Sequence, residues 1–319
     1  MNRLLLILTA LFIFVANMSA QKLTIADVAG DKFSAKTVRG INPIEGTDTY
    51  ARISDDGKRV ECYSFKTGKR LSVMFDVDNT IGRKINDFDG YILSPDGTRM
   101  LIQTKTKRIY RRSFTAVYYI YNIASKKLET LSDGGPQQVP IWSADGLQVA
   151  FVREGNIFLV KLLYDNAEIQ VTKDGSRGEV INGLPDWVNE EEFGFNRALT
   201  FNADGTMICW LRYDEAAVES YSLQMYKGLE PEKIANADYP GLYTYKYPKA
   251  GHANSTVSAW SYDIKSHKIN RLQVPLDADG YMPRIKATNA HNCVYHESSS
   301  GSVVPVCCQS TKHSGATYS

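Results

Sequence analysis

The sequence predicts an all-β chain assembled from repeated four-stranded units. Three observations carry this: a recurring Asp-Gly turn, alternating apolar runs between the turns, and the absence of long helical periodicity. The turns are Ile53-Ser54-Asp55-Asp56-Gly57, Leu93-Ser94-Pro95-Asp96-Gly97, Trp142-Ser143-Ala144-Asp145-Gly146 and Phe201-Asn202-Ala203-Asp204-Gly205. In each, a hydrophobic residue and a small polar one precede Asp-Gly, and a new run such as Met207–Leu211 follows. Asp-Gly between apolar segments marks a hairpin, because glycine accepts the positive φ that tight turns demand. A recurrence of roughly 40 to 60 residues is the range of four-stranded propeller blades. A pair of β-sandwiches is the competing architecture.

Taken in order, Met1-Asn2-Arg3 supplies one positive charge, Leu4–Val15 an apolar run, and Ser19-Ala20 a small-residue end. That pattern is a secretory signal peptide over residues 1–20, cut before Gln21. The run is too short to span a bilayer comfortably, so no stable membrane span is expected after cleavage, and a retained membrane anchor is the minor reading. Export would place the protein in a periplasm or outside the cell. Residues 21–45 read as a lead segment, and residues 46–290 supply material for four or five blades. Strand candidates rich in Tyr, Val and Ile include Thr115–Ile123 and Asn156–Leu163. Cys62 and Cys209 each sit in an apolar strand-like run; a disulfide and two buried thiols are both compatible with that. Only the stretch near Trp187–Phe195 suits a short helix, and it breaks the blade rhythm.

The chain is 43% hydrophobic and carries a formal charge of +2. It can bury a sizeable core, and it offers no basic field for nucleic acid. No phosphate loop, dinucleotide fingerprint or His-Glu-x-x-His zinc motif occurs, so no cofactor or metal is implied.

The helical interruption holds Asp186-Trp187-Val188-Asn189-Glu190-Glu191-Glu192-Phe193. Three adjacent carboxylates raise one another's pKa, and an opposing cation restores full ionisation. The free ammonium of a peptide's first residue is such a cation. A solvated acidic turn is the alternative reading. With Arg111-Arg112-Ser113-Phe114-Thr115-Ala116 upstream and Tyr247-Pro248-Lys249-Ala250-Gly251-His252-Ala253-Asn254 downstream, this segment resembles the dipeptidyl peptidase IV family of serine exopeptidases. That family carries Asp-Trp-Val-Tyr-Glu-Glu-Glu in its propeller, and the three blocks fall in the same order here.

The resemblance decides for a β-propeller. It implies that Glu191 and Glu192 bind the amino terminus of a peptide substrate, that Arg111 holds a carbonyl oxygen of the same substrate, and that Glu190 and Trp187 support them. Asn189 departs from the family's usual tyrosine, which bears on the packing of the turn. Relatives carry eight blades followed by an α/β-hydrolase domain, release dipeptides commonly after proline or alanine, and often form homodimers, partly through that domain.

After Asn289 the composition changes: three of five cysteines and three of five histidines fall in residues 291–319. Cys307-Cys308 with His291, His296 and His313 matches no metal-ligand spacing. Val306–Ser319 can be encoded by codons that, read one base later, give a strand-and-turn sequence like those of relatives. A shifted frame is therefore the sharper reading, and it implies a tail that is disordered or poorly packed. The sequence contains no Gly-x-Ser-x-Gly elbow, so no hydrolysis is expected of the chain by itself. Two function classes stand: the recognition part of an exported dipeptidyl peptidase without its catalytic half, and a non-catalytic propeller that binds a peptide or protein partner.

Overall fold

The computed structural model describes residues 22–35, 37–38, 40–226, 239–274, 276, 280–289, 292–299 and 302–309. The expected signal peptide lies outside them. The chain divides after Arg39 into two compact units. In the first, Ile25–Ala29 is a helical turn closed by a capping box: the Asp27 amide donates to Thr24 Oγ1, and the Thr24 amide donates to Asp27 Oδ2. The second unit begins at Gly40, and Asn42 and Pro43 pair with Ala51 and Tyr50.

Four blade-like sheets follow one another along the second unit. Blade I runs through Asn42–Pro43, Thr49–Ile53, Arg59–Ser64 and Arg70–Asp76 in consecutive antiparallel order. Blade II orders Gly90–Leu93, Arg99–Arg108, Phe114–Asn122 and Lys127–Thr130, with Ile81–Gly82 added parallel to the last. Blade III comprises Gln138–Trp142, Gln148–Arg153, Asn156–Lys161 and Ala167–Gln170. In blade IV the first strand is split: Val180–Asn182 and Leu199–Phe201 both pair with Met207–Asp214, beyond which lie Thr256–Asp263 and Lys268–Arg271. The described residues thus form an incomplete β-propeller.

The Asp-Gly motifs sit between the first and second strands of blades II, III and IV and between the second and third of blade I. In blade II, Ser94 Oγ donates to Asp96 Oδ1 (2.5 Å) and accepts from the Arg99 amide (2.9 Å), while the Gly97 amide closes onto the Ser94 carbonyl. Ser54 and Ser143 repeat this with Asp56 and Asp145; in blade IV, Asn202 Oδ1 takes over as acceptor for the Met207 amide. The closing glycines, Gly57, Gly97, Gly146 and Gly205, have φ between 66° and 73°, a region that costs other L-residues steric energy.

The second strands are apolar on both faces because a blade is packed from both sides. Met100 and Ile102 lie in a cluster with Val60 and Phe75 of blade I, whereas Leu101 joins Val149 and Phe151 of blade III. Trp210 and Ile208 extend the next layer toward Val152 and Ile157 of blade III. Cys62 and Cys209 are buried in different blades, I and IV.

Beyond blade IV, Tyr281–Asn289, Asn292–Ser299 and Ser302–Gln309 form a three-stranded antiparallel sheet. Backbone pairing as far as Gln309 differs from the disordered tail that a shifted frame implies. Val294, Val303, Val304 and Val306 favour strands, and pairing along an open sheet edge uses backbone groups that every sequence carries. Residues 310–319, and the side chains of Cys307, Cys308 and the tail histidines, lie outside what is described.

Candidate substrate-binding site

The break in the first strand of blade IV holds the predicted helix, Trp187–Phe193. Asp186 is its N-cap: Oδ1 accepts from the Asn189 amide (2.8 Å) and from Asn189 Nδ2 (2.8 Å), and Oδ2 accepts from the Ser255 hydroxyl. The asparagine at the position of the family's tyrosine therefore doubles the cap, while its Oδ1 is buried with no hydrogen-bond partner among the described residues. The helix stops at Gly194, whose φ of 70° lets its amide reach the Glu190 carbonyl at 3.0 Å.

Glutamates in the last turn of a helix face the negative end of its dipole, and this helix has no basic residue there. The cations come from elsewhere. Arg284 Nη2 donates to the Phe193 carbonyl (2.7 Å) with its guanidinium over the Phe195 ring, and Arg112 lies across Gly194, where an added Cβ would meet its Nη2 at 3.2 Å.

The opposing arm is the tip of the blade II hairpin between Arg99–Arg108 and Phe114–Asn122. The Ile109 amide donates to the Ser113 carbonyl and the Tyr110 amide to Ser113 Oγ, which turns residues 110–112 outward. Glu190, 1% exposed, locks this tip to the helix: its Oε1 accepts from the amides of Arg112 (2.7 Å) and Ser113 (2.8 Å). Asn196 Nδ2 adds a bond to the Arg112 carbonyl.

With the two arms joined, Arg111 Nε stands 3.1 Å from Glu191 Oε2. The arginine side chain is largely exposed, 75%, and the glutamate's mostly covered, 15%. Glu192 is exposed and makes no ion pair with another described residue. The structure therefore brings Arg111, Glu190 and Glu191 together, with Glu192 beside them. Trp187 packs away from the acids, its ring 4.4 Å from Tyr247 and 6.1 Å from Tyr245. Ser255, Arg284 and Asn196 were not singled out by sequence. Ser255 directly follows the Tyr247–Asn254 block, and that adjacency was its only signal.

A buried acid lies beneath the helix cap. Glu215, 6% exposed, has its pKa pushed up to about 7 by burial and then by the charge of Asp186, against a pull from Lys246. Tyr110, next to Arg111, is likewise raised, first by its burial.

The family description "Dipeptidyl peptidase IV (DPP IV) N-terminal region" matches residues 94–299, which include the hairpin tip, the helix and its cap partner. The chain belongs to the dipeptidyl peptidase IV family.

The probable dipeptidyl-aminopeptidase B of Verticillium alfalfae is 34% identical over 198 residues, 60% of this chain and 22% of that protein. The Podospora anserina protein of the same description is 38% identical over 179 residues, 54% of this chain and 19% of that one. The crystal structure of Porphyromonas gingivalis dipeptidyl peptidase 4 superposes with a TM-score of 0.85 at 32% identity, covering 91% of this chain and 40% of that one. A putative dipeptidyl aminopeptidase IV from Bacteroides ovatus shares the fold at a TM-score of 0.56 and 18% identity, over 90% of this chain and 38% of that one. The chain thus spans 19–22% of the length of these curated relatives. Among the described residues no helix is long and apolar enough to cross a membrane.

Proposed function

We propose that this chain supplies the substrate-recognition part of an exported dipeptidyl peptidase, gripping the free amino terminus of a peptide with Glu191 and Glu192 while Arg111 holds a carbonyl oxygen. The observation that carries the reading is the Arg111–Glu191 pair at 3.1 Å, formed between residues from two blades. A carboxylate already facing a cation is poised to exchange that partner for a peptide ammonium, which brings N–H donors that a carboxylate pair can share. The displaced guanidinium, exposed and bearing several donors, then turns to the nearest peptide carbonyl. Glu190 cannot join the grip, because both of its bonds go to the hairpin backbone. Its part is to fix the distance between the arms.

Positioning of this kind accelerates a reaction only when a nucleophile receives the substrate. The 319 residues contain no Gly-x-Ser-x-Gly elbow, so the chain alone binds without cleaving. Residues 1–20 are its export signal, which amino-terminal sequencing of material secreted by a bacterial host checks by a start at Gln21.

Calorimetric titration of the purified chain with a tripeptide, free or acetylated at its amino group, tests the grip. The free peptide is expected to bind at least about tenfold more tightly, a difference of about 1.4 kcal/mol. Glu191→Gln and Glu192→Gln are each expected to erase that difference. Equal binding of the two peptides to the unmodified chain overturns the proposal.

A further inference from the structure

Glu190 fixes the side of the acidic helix that meets the hairpin; the end that carries Glu192 is held from another strand. A helix of seven residues is too short to persist without tertiary contacts, and the carbonyls of its last turn have no partner inside the helix. Arg284 supplies one. Its Nη2 donates to the carbonyl of Phe193, the residue after Glu192, at 2.7 Å, and its Nη1 donates to the Pro283 carbonyl at 2.6 Å. The same guanidinium lies 4.9 Å from the centre of the Phe195 ring. A planar fork tied at three places keeps one orientation.

Arg284 itself stands on a firm base. It lies on the strand Tyr281–Asn289 between Met282 and Ile285, both buried in one cluster with Leu211 and Tyr213 of blade IV. The buried Tyr213 hydroxyl donates to the Met282 carbonyl at 3.5 Å. At the start of the same strand, the Tyr281 ring lies 5.4 Å from the Phe193 ring, and its hydroxyl accepts from Asn254 Nδ2 at 2.6 Å. Asn254 precedes Ser255, whose hydroxyl bonds the N-cap Asp186. A closed circuit therefore holds the helix at both ends: Ser255 at its start, Tyr281 and Arg284 at its finish, and the Asn254–Tyr281 bond joining them.

We infer that Arg284 is a positioning residue for the amine grip, a role that rests on the grip proposed above: by holding the Phe193 carbonyl it sets where the Glu192 carboxylate meets the peptide ammonium. The two long-range holds act on different acids. Glu190 sets the separation of helix and hairpin, and with it the Arg111–Glu191 pair. Arg284 sets the helix end, and with it Glu192, which is exposed and makes no ion pair with another described residue. Such a carboxylate is placed by its backbone alone until the ligand arrives. An ammonium shared between two carboxylates needs both in place at once, so a helix end that frays leaves a single acid to meet the peptide.

The test titrates the 319-residue chain with the free and the acetylated tripeptide, in its unmodified form and as Arg284→Gln, Arg284→Lys and Tyr281→Phe. The unmodified chain is expected to favour the free peptide by at least about tenfold. Arg284→Gln, which keeps an amide donor but loses the fork and the charge, is expected to cut that advantage to about twofold or less, with the acetylated peptide weakened by less than about twofold because Arg111 keeps its place. Arg284→Lys retains the charge and one donor, so an intermediate advantage of about fourfold is expected. Tyr281→Phe keeps the ring and loses only the Asn254 bond, and a drop of about twofold is expected. A residue that served the fold alone would weaken both peptides in step with the urea midpoint. An equal loss for the two peptides in Arg284→Gln, or an undiminished advantage, overturns the positioning role while the grip stands. Should Arg284→Gln not fold, the milder Arg284→Lys and Tyr281→Phe carry the same comparison, and an undiminished advantage in both overturns the role. If the unmodified chain binds the two tripeptides equally, the grip fails and the positioning role fails with it.

Discussion

The Asp-Gly turns and the helix Trp187–Phe193 are both short polar excursions from a blade, yet they are held in opposite ways. Each turn is satisfied from within: Ser94 reaches Asp96 and Arg99, and Ser143 reaches Asp145 and Gln148, all within five residues. The helix is satisfied from afar. Glu190 is bonded by residues 77 and 78 positions upstream, Asp186 by Ser255, 69 positions downstream, and the Phe193 carbonyl by Arg284, 91 positions downstream. Local closure makes a turn that any blade can reuse. Long-range closure makes a helix whose position reports on several sheets at once, which suits a site that must keep two arms at a set separation.

The sharpest way to break this contrast is Glu190→Ala. It leaves the amides of Arg112 and Ser113 without their acceptor in a buried place. Each orphaned donor costs of order 1–3 kcal/mol, so a loss of about 4 kcal/mol is expected. Amine-dependent peptide binding should disappear with it, because Arg111 is no longer held beside Glu191. Urea unfolding and peptide titration measure the two effects. Loss of stability with binding intact would show that the helix and the hairpin tip keep their places without the latch.

Charge sharpens the same contrast through pH. In the turn of blade I, the Ser54 hydroxyl and then the Lys58 amide hold Asp56 below the usual carboxylate range. Its contribution is present at neutral pH and lost as pH falls through that depressed value. Glu215, under the helix cap, is pushed the other way, from 4.5 to about 7. Below pH 4.5 both folded and unfolded chains carry its proton, and it has no effect. Between 4.5 and about 7 only the unfolded chain releases the proton, so stability falls as pH rises, and above about 7 the loss levels off. At 1.36 kcal/mol per pKa unit the total is about 3 kcal/mol. Glu215→Gln is expected to flatten the decline, read as the urea midpoint between pH 4 and pH 8. A decline that persists in the variant assigns it to another group.

Much of this was legible in the sequence, and the division follows the same line. The four turns carry their whole mechanism in five residues, so the blade rhythm could be read directly. The helix was legible as an interruption, since Asp186 and Gly194 bound it, and the acids were legible because three in a row demand a cation. What could not be read was the partner of each acid. Glu190, Glu191 and Glu192 look alike in sequence, yet one is buried as a latch, one faces Arg111, and one is exposed. Helical spacing turns successive residues about 100° apart, and only the neighbouring blade decides which side meets the hairpin. The strands beyond residue 290 were missed for a different reason: composition reports on side chains, whereas the pairing found there is made by backbone.

The smallest expected effect belongs to the turns. Ser94→Ala removes a hydroxyl that donates to Asp96 and accepts from Arg99, but the loop keeps its Gly97–Ser94 backbone bond and the strand pairs on either side. The freed Arg99 amide lies near the surface end of a hairpin, where water can replace the lost acceptor, so a cost of about 1 kcal/mol is expected. Peptide binding should be unchanged, because no bond of the grip passes through this turn. Parallel titration of Ser94→Ala and Glu190→Ala sets the two kinds of closure side by side. Were the turn variant to weaken amine-dependent binding as strongly as the latch variant, the blades would transmit local strain to the site, and the separation between reusable turn and positioned helix would not hold.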